Sequence, residues 1–347
     1  ITSRTTATKP RPFFGTPEEG LADAAQFVPP PHRRRQPPAL PHLDEATLRA
    51  HLAQILLEVS DLREDGGLAA AGRAESLPGL LHLHPQQPAA TVQGILEVAC
   101  AAARTLATLT GLDRFTLQPP SLAAAERAGL LVVQAHAARA EPVRREVVAP
   151  IESTALATAE SLGLVPRPVP RTAEGDLDLD RLLAATGDAT AAIVVSWLTP
   201  SGAFERHLAG ASEVARACGA LLCVDARGLG ALAGHTRLRE AGAAVAWFPL
   251  SEVCPTAASA ALGVRSSLTE FLPGPLVGRT RDGCEFDDEL PRSIGRLALV
   301  PANALDALAV YVQASLLGEE GLRARAERLA LESTALARSR PPRYPGG

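Results

Sequence analysis

The chain has 347 residues, 46% of them hydrophobic and 21% charged, with a net charge of −4. That length and apolar share accommodate one large α/β domain with a smaller appendage and exclude wholesale disorder. The charge balance excludes nucleic-acid binding through bulk basicity. Without an apolar run of about eighteen residues, no membrane span is predicted.

Methionine is absent, position 1 included, so the sequence is expected to be incomplete or processed. Lysine occurs once, at Lys9, and every other Lys/Arg position is arginine. That exchange is harmless on a surface but not where chemistry needs a neutral amine, because arginine stays protonated. The cysteines, Cys100, Cys218, Cys223, Cys254 and Cys284, form no CxxC pair, and all but Cys284 sit in apolar runs. They read as reduced, mostly buried side chains of a cytoplasmic protein. The N-terminus lacks the apolar core of a secretory signal.

Residues 1–43 hold nine prolines and the run His32-Arg33-Arg34-Arg35, and are predicted to form an extended arm. Residues 44–90 are predicted as a helix from Asp44, with Leu48, Leu52, Ile55, Leu56, Val59 and Leu62 on one face, followed by an irregular stretch. Residues 91–302 are predicted as the large α/β domain. Helices are expected at about 91–109, ended by Gly111, and at 123–138. Then strands at 146–149, 191–197, 221–225 and 243–248 alternate with helices at 154–162 and 205–217. Apolar strands of this kind, separated by helices, predict a mostly parallel sheet covered on both faces. Asn303, with Asp306 three residues on, caps two long helices filling 303–338, and 303–347 reads as the start of a small C-terminal domain.

No Walker A loop, GxGxxG, HExxH or GxSxG is present, and His82-Leu83-His84 lacks a third metal ligand nearby. In an open α/β sheet, ligands bind outside the carboxyl ends of the strands. Asp225 ends one buried strand, and Ser251-Glu252 follows the next. A strand-end Asp that pairs with a ring nitrogen, with an amine after a later strand, is the layout of a pyridoxal 5'-phosphate (PLP) enzyme.

Several strings carry a family resemblance from about residue 44 to 322. They are His84-Pro85-Gln86-Gln87-Pro88 with Gln93-Gly94, Leu109–Asp113 with Leu117-Gln118-Pro119, Phe204-Glu205, Leu222–Gly234, and Pro291-Arg292-Ser293-Ile294-Gly295-Arg296, followed by Asn303. The chain thereby resembles the P-protein of the glycine cleavage system, glycine dehydrogenase (decarboxylating) subunit 2. The resemblance implies the aspartate aminotransferase type I fold of PLP-dependent transferases. The implied chemistry is glycine decarboxylation with aminomethyl transfer to a lipoyl H-protein, and the implied partner is a second P-protein-like subunit or another copy of this chain. It also implies that the sequence stops before most of the family's small C-terminal domain.

The resemblance assigns five positions, most of them altered. The Schiff-base lysine falls on Glu252, which leaves no catalytic residue. The cofactor-stacking histidine falls on Glu152. The phosphate loop falls on Leu122-Ala123-Ala124-Ala125-Glu126, where only Glu126 is kept, and a turn asparagine falls on Thr199. Asp225 is kept; it reads either as the partner of the PLP ring or as a strand-end cap. Arg227 replaces a small polar residue and is expected to pair with Asp225 or Glu252. Loss of lysine, ring and phosphate loop together points to a catalytically degenerate homologue in which PLP binding is doubtful. The alternatives are an active subunit using a partner's amine, and a binding module in which Arg227, Arg292 and Arg296 converge on an anion.

Overall fold

The computed structural model describes residues 44, 46–47, 92–200, 202–280, 283–287, 290–298 and 303–339. The proline-rich arm, most of the predicted 44–90 segment with its HxH pair, and the chain beyond 339 lie outside them. At Asp44 the expected helix start carries its cap, since the Thr47 N–H donates to Oδ1 at 2.9 Å.

The element order is α1 (Gln93–Thr110), β1 (Arg114–Thr116), α2 (Leu122–Ala137), β2 (Glu146–Pro150), α3 (Thr154–Ser161), β3 (Val165–Val169), α4 (Leu179–Ala185), β4 (Thr190–Ser196), α5 (Leu208–Cys218), β5 (Leu221–Asp225), β6 (Val245–Pro249), β7 (Ala260–Val264), β8 (Leu276–Arg279), β9 (Cys284–Asp287) and α6 (Ala304–Ser339). Seven strands form one sheet in the order β1-β7-β6-β5-β4-β2-β3. The run from β3 to β6 is parallel, and β7 is antiparallel to both β6 and β1. β8 and β9 pair as a separate antiparallel hairpin.

Alternate residues of each central strand enter opposite cores. Ile193, Val195, Val224, Ala246 and Phe248 face the side covered by α1, α4, α5 and the start of α6. Ala192, Val194, Cys223, Val245 and Trp247 face α2 and α3. Helices therefore cover both faces, as the continuous apolar strands required. α2 lies so close that a Cβ on Gly129 would stand 2.7 Å from the Trp247 ring. The two long C-terminal helices are one run broken at Gly318, whose φ of 60° and ψ of −166° only glycine adopts readily.

Several expected boundaries moved. The helix expected from Glu205 begins at Leu208; Glu205 lies buried ahead of it, its carboxylate accepting from Arg171 and from the Leu177 and His207 N–H groups. Residues 257–259 run into antiparallel strand β7, which is not among the expected strands. All five cysteines are free, and Cys284, outside any apolar run, is buried against α1 with Cys100.

Candidate functional site

The carboxyl ends of β2, β4, β5 and β6 point the same way, so Asp225, which ends β5, and Glu152, Thr199 and Glu252, which follow the ends of β2, β4 and β6, lie at one edge of the sheet. Burial of the strands fixes these ends, the edge at which an open α/β sheet binds its ligands.

Asp225 is buried, with a side chain only 5% exposed, and Arg227, 53% exposed, lies over it. The Arg227 Nε donates to Oδ1 at 3.1 Å and to Oδ2 at 3.0 Å, and Nη2 reaches Oδ2 at 2.5 Å. The Arg227 backbone N–H also donates to Oδ1, at 3.2 Å. The hydrogen bond to Asp225 raises the Arg227 pKa against the opposing effect of burial, and the negative charges of Asp225 and Glu126 add to it. Of the two partners open to Arg227, the structure selects Asp225.

Glu252 ends a short 3₁₀ turn after β6 and points back across the β5 turn. Its Oε1 accepts the Gly228 N–H at 2.8 Å and its Oε2 the Gly230 N–H at 2.9 Å. The fit demands glycine: a Cβ on Gly230 would lie 2.6 Å from the Glu252 carbonyl oxygen. Arg325 of α6 holds the Glu252 and Val253 carbonyls from the other side. Gly230, Glu252, Val253 and Arg325 line a narrow crevice with Leu109 and Leu322.

The remaining positions also have internal partners. Glu126, buried on α2, accepts the Thr154 hydroxyl at 2.6 Å and the Thr158 hydroxyl at 2.5 Å, which ties α2 to α3. Glu152 pairs with Arg171, whose Nη1 donates to Glu205 Oε2 at 2.6 Å. Thr199 is buried in a turn in which its N–H donates to the Ala203 carbonyl at 2.7 Å and its own carbonyl accepts from Gly202 at 2.9 Å. Sequence reasoning missed Arg171. It sits in a proline-rich stretch with no distinguishing neighbour, although the fully buried Glu205 needs a cation.

Of the three arginines expected to converge on an anion, Arg227 and Arg292 are each paired with a carboxylate. Arg292 bonds both oxygens of Glu270 at 3.0 Å, and Glu270 also holds Arg139, just past the C-terminus of α2. Ser293 braces its own loop, donating to the Leu272 carbonyl at 2.7 Å and accepting from Gly274 at 3.0 Å. Among the described residues no group of three or more acidic, His or Cys side chains could hold a metal.

These residues do not fit pyridoxal phosphate as a covalently held cofactor. No described side chain can supply an amine for a Schiff base. The Asp225 carboxylate is already neutralised by Arg227. The first turn of α2 is capped by Ser121, whose hydroxyl accepts from Ala124, and it presents Leu122 and alanines where a phosphate would need close backbone approach.

The strand order and the placement of these residues at the strand ends define the type I fold of PLP enzymes. No family model matches the chain. A probable glycine dehydrogenase (decarboxylating) subunit 2 of Thermus thermophilus is 30% identical over 338 residues, covering 92% of this chain and 71% of the relative. The chain therefore belongs to the glycine dehydrogenase (decarboxylating) subunit 2 family. A Coxiella burnetii relative with the same name is 32% identical over 280 residues, covering 77% of this chain and 57% of the relative. This chain thus spans little more than half the length of that relative. A crystal structure of an inhibitor-bound glycine decarboxylase, the P-protein of the glycine cleavage system, superposes with a TM-score of 0.58 at 21% identity. It covers 93% of this chain and 71% of that structure and shows the shared fold.

Proposed function

We propose that this chain is a catalytically silent glycine dehydrogenase (decarboxylating) subunit 2. On this reading it keeps the fold and the subunit contacts of a glycine-decarboxylating P-protein and has lost the chemistry. It works in the cytoplasm as a homo- or hetero-oligomer with a P-protein subunit, within reach of a lipoyl H-protein. The five free cysteines support the cytoplasmic placement.

One observation carries this reading. Both carboxylate oxygens of Glu252, the residue that the resemblance sets at the Schiff-base lysine position, are spent on the Gly228 and Gly230 amides. Glu252 is a fitted structural group and offers no amine. The test is the absorbance spectrum of the purified chain with PLP, before and after borohydride. Silence predicts the spectrum of free PLP and no chromophore fixed to protein. A shifted band that borohydride fixes would place an amine in the site, supplied by this chain or a partner copy, and would overturn the reading.

A further inference from the structure

A buried carboxylate needs a cation, and in a PLP enzyme the protonated ring nitrogen of the cofactor supplies it. Here the chain supplies one itself. Asp225 is 5% exposed, and the Arg227 guanidinium bridges both of its oxygens from the solvent side. The pair is local, two residues apart on the turn that leaves β5. That turn is pinned from beneath by the Glu252 carboxylate on the Gly228 and Gly230 amides. The guanidinium therefore lies where a cationic ring would have to approach.

We propose that Arg227 is an internal counter-ion that occupies the ring-nitrogen position of the ancestral cofactor site, so that the site is closed at Asp225 independently of the missing lysine. The inference rests on the family reading of this strand end. It concerns a different residue and a different interaction from the loss at Glu252. A protonated pyridine must displace Arg227 from Asp225 before it can gain its own charge-assisted hydrogen bond. Arg227 is thus a specificity-determining residue that excludes pyridinium ligands.

The test uses pyridoxine 5'-phosphate, which has the ring and phosphate but no aldehyde and so needs no lysine. Binding is measured by titration calorimetry for the parent chain, Arg227→Ser and Arg227→Gln, with a thermal melt of each to confirm folding. Glutamine keeps a donor to Asp225 without the charge, and it stands in should the serine variant fail to fold. The expected result is binding at least about tenfold tighter in the folded variants than in the parent. The gain should vanish when Asp225→Asn is added. Equal binding by parent and folded variants, or none by any of them, overturns the proposal. A borohydride-fixed adduct on the parent would overturn catalytic silence instead and leave the comparison between parent and variants intact.

Discussion

At the scale of single residues, the proposed reading makes Glu252 a structural group at a position that the resemblance gives to a catalytic lysine. Glu252 satisfies two amides of the β5 turn, and that of Gly230 is buried. A buried N–H left without an acceptor costs about 1–3 kcal/mol. Glu252→Ala should therefore lower stability by about that amount in a denaturant melt, and Glu252→Gln, which keeps one acceptor, by less. If Ala and Gln variants both melt with the parent, the carboxylate is not a brace. His136 gives a second expectation. Burial is the main force holding its pKa below the ordinary value; Arg139 and Arg144 add to this, and Glu270 opposes it. Its ring packs edge-on to Phe271, with centroids 5.8 Å apart. The folded state therefore favours the neutral imidazole, while the unfolded chain takes up its proton near the usual value of about 6.5. Between the depressed pKa and that value the unfolded state holds more protons, so stability falls as pH drops through this window. His136→Gln should flatten that part of a plot of melting temperature against pH, and a plot unchanged by the substitution would refute the assignment.

At the scale of elements, the start of α6 makes a testable joint. Asn303 caps it, its Oδ1 accepting the Leu305 N–H at 3.1 Å. Asp306, one turn in and buried, accepts the Ala258 and Ser259 amides at 3.2 and 2.8 Å and also binds the Ser259 hydroxyl. One carboxylate thus joins the last long helix to the segment entering β7. Asp306→Ala should destabilise by about 2–3 kcal/mol, because three donors lose a charged acceptor at once. Asp306→Asn should recover part of that, and a melt of Asp306→Ala equal to the parent would show that the joint bears no load. The Asn-x-x-Asp start of this helix was legible in the sequence, as were the apolar strands β4 and β5 and the glycine stop after α1. The hidden strands β1, β3, β8 and β9 share a cause: their sequences lack the pattern of a buried parallel strand. β3 reads Val-Pro-Arg-Pro-Val, and its prolines are tolerated because it is an edge strand paired on one side only. β1 is three residues long, and β8 and β9 pair only with each other outside the main sheet. For the site, the positions were legible but their partners were not. Asp225 and Glu252 stand at predicted strand ends, whereas Arg171 gripping Glu152 and Glu205 depends on a fold-level encounter that spacing does not encode.

For the whole molecule, the sheet separates two cores while sharing its strands between them. Trp197, after β4, is fully buried in the core under α1, α5 and α6, where it meets Phe204 edge-on at 5.7 Å. Trp247, on β6, is fully buried in the opposite core under α2 and α3. They are the only two tryptophans of the chain, so each reports on one face. β4, β5 and β6 place alternate residues in both cores, so neither core can be lost without exposing the backs of the same strands. Unfolding should therefore be a single cooperative event across the sheet. In Trp197→Phe only the α2 face emits, and in Trp247→Phe only the α1 face. Each substitution shifts stability by its own amount, so the diagnostic comparison lies within each variant, between tryptophan fluorescence and far-ultraviolet circular dichroism. Coincident curves in both variants are expected. If in either variant fluorescence is lost at lower denaturant than the circular dichroism, that core melts alone and the shared strands do not couple the faces.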